Sequence, residues 1–272
     1  VYKVNAIGDT TTGTLCGNVN GTIIQLDDIT TNGTTDSITI NSSTTATVAQ
    51  GVILIGATGV DVIFSGGLTD LLSNMATGGS LTSGLSGITG DDPDIAITIN
   101  DTEIGGTNVS NLNVIGGATT GIVTGTITGT SAQLDDLTTS GTTDALTITV
   151  NSTATIAQAS IVVNSTTLPV VFSSGITDSI SNLTSGISAS SGLTAAVTDD
   201  PDVNIVITGT LTGLDYKKLN AVAGSTTGTT TASITGPAAD MNALTTTSTD
   251  PISIIVTTPV SDVQYTNIKT KT

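Results

Sequence analysis

The sequence predicts a mainly β repeat solenoid: parallel strands stack, and each coil of about 22 residues carries one short helical turn. Three observations carry that expectation. Gln25-Leu26-Asp27-Asp28 recurs as Gln133-Leu134-Asp135-Asp136, and the same 108-residue shift lays residues 45–50 on 153–158 and 91–94 on 199–202. Inside each copy an aliphatic column repeats every 22 residues, through Val4, Leu26 and Val48, then Leu112, Leu134 and Ile156, then Leu219, Met241 and Val263. Four residues ahead of the later members stand Thr22, Thr44, Thr130, Ser152, Pro237 and Pro259, residue types that open helices. The alternative is a string of tandem Ig-like β-sandwiches, since the long period is close to one such module.

Each coil reads as a capped turn, a bend and a strand. Thr22 with Gln25, and Thr130 with Gln133, have the spacing of a capping box. A second column, at Ile7, Ile29, Ile115, Leu137, Val222 and Leu244, adds a helical neighbour three residues on. Thr31-Asn32-Gly33-Thr34 and Ser140-Gly141-Thr142 supply bends rich in residues that tolerate left-handed backbone angles. Residues 36–40, 144–150 and 203–207 alternate β-branched side chains and read as strands. The unit after Leu72, and its counterpart after Ile180, is longer. It contains Ser83-Gly84-Leu85 or Ser191-Gly192-Leu193 and then an Asp-Asp-Pro-Asp turn, and reads as an enlarged coil. Residues 1–108 form the first repeat, 109–215 the second and 216–272 a partial third, together one continuous rod.

Composition narrows the function. The 272 residues carry five Lys, no Arg and no His against 22 acidic side chains, a net charge of −17 that repels phosphate backbones. Without His, the usual general base, the Ser-His pair and the imidazole ligand of zinc are all missing. At 37% hydrophobic residues the chain has too much Ile, Leu and Val for a disordered tail. A single cysteine, Cys16, excludes an internal disulfide framework and is expected as a buried small apolar residue. No apolar run reaches the roughly 18 residues of a membrane span. The opening Val1-Tyr2-Lys3, with neither initiator Met nor signal peptide, reads as a processed product or a piece of something longer.

The densest acidic clusters are Asp91, Asp92 and Asp94, with their counterparts Asp199, Asp200 and Asp202. Closely spaced carboxylates beside turn carbonyls are what Ca²⁺ takes, so these six are candidate calcium ligands. The competing reading is a turn whose side chains bond local N–H groups. Asp27-Asp28 and Asp135-Asp136 read as solvated surface, and Asp70, Asp178, Asp240 and Asp262 as carboxylates in first helical turns. Adjacent carboxylates without aromatic platforms make a poor glycosidase, so no enzyme activity and no required cofactor are expected. Eight Asn-x-Ser/Thr sequons, among them Asn20, Asn41 and Asn151, allow glycan attachment.

The run Leu219-Asn220-Ala221-Val222, then Thr226-Thr227-Gly228, then residues 234–244, resembles the repeats of giant Thr/Gly-rich secreted cell-surface proteins of cyanobacteria and other bacteria. Similar Leu-Asn repeats occur in fibre proteins of marine phages. The resemblance implies an extracellular array with a matrix, adhesive or motility-related role, in calcium-rich surroundings, and transfers no catalytic residue. The expected function is a structural segment of an extracellular filament, surface layer or matrix fibre at the cell surface. Its partners are expected to be copies of itself, joined head to tail, with surface acids holding neighbours apart or bridging them through divalent cations. The alternative is an adhesin or phage fibre that binds glycans through the enlarged coils.

Overall fold

A computed structural model describes residues 2–272 and has a mixed α/β fold. The chain divides into two compact units, one of Val1–Ile127, Leu137–Thr147 and Ser165–Thr167, the other of Thr128–Asp136, Ile148–Asn164 and Leu168–Thr272. No helix among the described residues is long and apolar enough to cross a membrane.

The first unit begins with α1 (Tyr2–Gly8), β1 (Cys16–Gly21), α2 (Ile23–Leu26), β2 (Ser37–Ser42), α3 (Val48–Gly56) and β3 (Val62–Ile63). The three strands form a parallel sheet in which Cys16 faces Ser37, one residue short of the period of the aliphatic column, and Ile40 faces Val62, a full period on. Next come β4 (Leu68–Asp70), α4 (Leu72–Met75), β5 (Ala76–Thr77), β6 (Ser80–Leu81), α5 (Ser83–Asp91), β7 (Ile97–Ile99), β8 (Ile104–Gly105), α6 (Val109–Gly116) and the start of β9 (Val123–Gly129). β4 runs parallel to β7 and β7 to β9, whereas β5 and β6 form an antiparallel hairpin. Gly78 and Gly79, at φ of 58° and 76°, make its turn, where a Cβ would be strained. Leu26, Ile40, Leu54, Leu68, Leu85 and Leu112 are fully buried between the helices and the strands.

The second unit contains α7 (Ser131–Leu134), the end of β10 (Ala145–Val150), α8 (Ile156–Val163), β11 (Val170–Phe172), β12 (Ile176–Ser179), α9 (Ile180–Leu183), β13 (Thr184–Ser185), β14 (Ser188–Ala189) and α10 (Ser191–Asp199). It continues through β15 (Ile205–Thr212), α11 (Tyr216–Ala223), β16 (Thr230–Gly236), α12 (Ala238–Asn242), β17 (Ile252–Val256) and α13 (Asp262–Lys269). Strands β12, β15, β16 and β17 form a four-stranded parallel sheet in that order, and Ile148 of β10 faces Val170 of β11. β13 and β14 repeat the antiparallel hairpin. Leu134, Ile176, Leu193, Ile205, Leu219, Ile234 and Met241 form the buried centre.

These observations correct the predicted fold class. The chain is not a mainly β solenoid with a single helical turn per coil. Among the described residues thirteen α-helices lie among strands of two to eight residues, and the strands fall into several short sheets. The error has a physical source. The 22-residue spacing predicts one turn each for residues 48–56 and 156–163, but a Thr cap and a following apolar face carry them through eight or nine residues. Residues 83–91 and 191–199 likewise form nine-residue helices, each opened by a Thr or Ser cap. The β-sandwich alternative fails too, because strand pairs such as β1–β2, β4–β7, β12–β15 and β16–β17 are parallel. With the solenoid goes the geometric basis for reading a filament from the repeat.

Smaller expectations also change. Cys16 is exposed rather than buried, because β1 has a partner on one side only. Neither bend glycine, Gly33 or Gly141, has a positive φ. Gly33 is needed for space, since a Cβ there would lie 2.3 Å from the Gly56 carbonyl oxygen. Of the aliphatic column, the members from Leu26 to Met241 are buried, Val4 is half-buried and Val263 is 71% exposed.

Candidate functional site

A parallel strand leaves the N–H groups along its outer edge without partners unless another strand or a side chain supplies acceptors. Aspartates do this throughout the molecule. Asp36 is the simplest case. It sits just ahead of β2, and its Oδ1 accepts from the Leu15 N–H at 2.9 Å while its Oδ2 accepts from the Asn32 N–H at 2.8 Å. Asp144 repeats the pattern with the N–H groups of Val123 (2.9 Å) and Ser140 (2.7 Å). Asp250 repeats it with Thr230 and Thr247, both at 2.9 Å. Each carboxylate ties the approach to one strand to the loop before the next. All three are buried. The donated hydrogen bonds of Leu15 and then Asn32 hold the Asp36 carboxyl below its ordinary value, against the opposing effect of burial.

The Asp-Asp-Pro-Asp clusters do related work where the regular strand succession is interrupted. Asp91 closes α5, and its Oδ2 accepts from the Val62 N–H at 3.3 Å; Asp92 Oδ2 accepts from the Phe64 N–H at 2.6 Å. In the second copy Asp199 and Asp200 accept from Val170 (3.1 Å) and Phe172 (2.7 Å). The carboxylates therefore stand where the next strand's carbonyls would be, along β3 and β11. Burial pushes all four carboxyls above their ordinary value, more than the backbone donors lower them. At Asp92 and Asp200 the neighbouring Asp94 and Asp202 carboxyls add to the rise. Asp94 and Asp202 are themselves exposed, but their main chains are not idle. A Cβ on Gly121 would lie 2.3 Å from the Asp94 carbonyl oxygen, and one on Gly228 would lie 2.2 Å from that of Asp202.

The donor set fits a calcium ion poorly. Ca²⁺ takes six to eight oxygens, whereas here backbone N–H groups point at one oxygen of each of Asp91, Asp92, Asp199 and Asp200. Among the described residues no group of three or more acidic, His or Cys side chains is placed to hold a metal ion.

Other acids serve helix starts. Asp70, at the end of β4, accepts through Oδ2 from the Val48 N–H at the start of α3 (2.9 Å) and through Oδ1 from Leu71 N–H and Asn74 Nδ2. Asp178 repeats this with Ile156, Ser179 and Asn182. The two precede the helices in which they were expected, while Asp240 and Asp262 do lie in first turns. Asp27 and Asp135, read as solvated, accept from the Gln50 and Gln158 amides at 3.2 and 2.9 Å. Thr44 and Ser152 do not open their own helices. They accept from Ile23 N–H and Ser131 N–H in the preceding ones, and Thr47 and Thr155 form the capping boxes instead. Asp36, Asp144 and Asp250 were missed as site residues. Their signal was present in the 108-residue shift that relates Asp36 to Asp144, each directly ahead of a strand.

Thr hydroxyls add a second recurring device. Those of Thr119, Thr166 and Thr226 donate to the carbonyls of Ile95, Leu146 and Val203 at 2.6 to 2.7 Å. A cross-strand hydroxyl pair joins Thr98 and Thr124 at 3.0 Å. No protein-family model, curated protein or solved structure matches this chain.

Proposed function

We propose that the chain is a structural segment of a secreted surface layer or matrix, without catalytic activity, whose partners are further copies of itself. One observation carries the reading. The acidic side chains that recur most regularly are turned onto backbone N–H groups of their own chain, at strand edges and helix starts, rather than onto a shared cleft. A group already accepting two backbone hydrogen bonds, as Asp36 and Asp144 do, is held in place and has little freedom to shuttle protons to a substrate. The absence of His and Arg from the sequence removes the commonest catalytic and anion-binding side chains. The resemblance to giant Thr/Gly-rich surface proteins points the same way, and a net charge of −17 keeps neighbouring chains soluble at close quarters.

Immunogold labelling of source cells with an antibody to this segment tests the placement: label on the outer surface or in the matrix is expected, and label confined to the cytoplasm overturns it. A glycan array and a panel of chromogenic glycosides are expected to show neither binding nor turnover. Saturable binding to one glycan class would replace the structural reading with a recognition one.

A further inference from the structure

Two of the edge strands among the described residues have matching surroundings. β1 has only β2 beside it, and β17 has only β16. Along β1 the open edge borders a hollow lined by Tyr2, Asn5, Val19, Ile24, Leu26 and Asp28. Along β17 a groove is lined by Ile252, Ile254, Val256, Tyr265, Ile268 and Lys269. Large apolar side chains stand exposed at both: Tyr2 and Ile24 at the first, Ile255, Val263 and Tyr265 at the second.

From these features we infer that the β17 edge takes up a second copy of this chain through that copy's β1, in the parallel sense used by β1 with β2 and β16 with β17. The inference rests on the proposal that the partner is a further copy and names the surfaces it uses. Charge favours this occupant over a random strand. Lys269 and Lys271, two of the five cations in the chain, lie in and just after α13, and Asp28 lies exposed beside the β1 hollow.

The arrangement has a steric condition. α13 follows β17, and its Val263 belongs to the same aliphatic column as Val4 of α1. When β17 of one copy lies along β1 of another, α13 needs the place that α1 holds. α1 can give way, because it buries no side chain and is pinned by Asn5, whose Nδ2 donates to the Asp28 carbonyl (2.8 Å) and whose Oδ1 accepts from the Thr30 N–H (3.1 Å). The contact is therefore an exchange of one helix for its equivalent. Because it is heterologous, every dimer keeps one free edge of each kind and growth continues.

Sedimentation equilibrium of the full chain over a concentration series, with Asn5→Ala and Ile255→Asp variants, tests this. The wild-type chain should associate with rising concentration. Asn5→Ala, at the margin of the β1 hollow, should lower the concentration needed by about tenfold because the two hydrogen bonds that pin α1 are gone. Ile255→Asp should leave a monomer. A Ser253→Cys variant, paired with the native Cys16 of the next copy, should give a disulfide-linked ladder on mild oxidation. The inference is overturned if both the wild type and Asn5→Ala stay monomeric at every concentration, if Asn5→Ala associates more weakly than wild type, or if Ser253→Cys yields no species beyond a dimer. None of these results bears on where immunogold label falls, so this inference and the surface-layer reading fail separately.

Discussion

The aspartates show how one residue type can do opposite things at the same net charge. Asp144 is buried and accepts from two backbone N–H groups, so Asp144→Ala leaves both donors without partners and should cost about 3 kcal/mol. Urea unfolding of the variant measures it. Asp36 and Asp92 differ in their response to pH. The carboxyl of Asp36 lies below its ordinary value, so its contribution is present at neutral pH and disappears as pH falls through that lowered value. Asp92 and Asp200 lie above the ordinary value of 3.8 because of burial, so the fold favours their protonated form and loses stability as they ionise with rising pH. Between about pH 4 and pH 7, the difference in melting temperature between Asp92→Asn and wild type should therefore become more positive, whereas that for Asp36→Asn should stay nearly level there and become less negative only as pH falls below about 4. Parallel trends in the two variants would refute these assignments. Thr230 presents the converse case. Its hydroxyl is buried and has no hydrogen-bond partner, at the position where β9 has Val123. Thr230→Val should raise stability by roughly 1 kcal/mol, read from the shift in denaturation midpoint.

At the scale of the element, the enlarged units are the informative ones. α5 and α10 end in the aspartates that close the edges of β3 and β11, so a helix terminus and a strand edge are satisfied by the same four residues. Pro93 and Pro201 follow directly, and their carbonyls accept from Thr120 N–H and Thr227 N–H, both at 2.8 Å. Gly121 and Gly228 then pass so close to the Asp94 and Asp202 carbonyls that only glycine fits. Gly121→Ala should lower stability by about 2 kcal/mol, because the clash is with backbone that cannot rotate away. A change below a few tenths of a kcal/mol, by thermal or urea unfolding, would show that this turn is not tightly held. The hairpins β5–β6 and β13–β14 were legible only as extra length. Two-residue strands carry no alternation to read, and their sole local signal was Gly78-Gly79 and Gly186.

At the scale of the whole molecule, the backbone N–H groups already bound to one oxygen of each of Asp91, Asp92, Asp199 and Asp200 lead to a plain expectation: neither EDTA nor millimolar calcium should move the melting temperature. A rise on adding calcium that is abolished by Asp91→Asn with Asp92→Asn would instead make those carboxylates ligands. Much of this molecule was open to reading from residue order. The 108-residue duplication, the capping boxes at Thr22 and Thr130, the strands near residues 37, 145 and 205, and the column from Leu26 to Met241 all follow from spacing, because periodic burial forces periodic apolar residues. What tertiary structure alone decided was how far each helix runs, which face Cys16 presents, and what the aspartates hold. Helix length depends on the packing that an apolar face finds, as α3 finds in α5. The fate of a carboxylate depends on an N–H group about 20 to 30 residues away in sequence, and no local pattern records that partner.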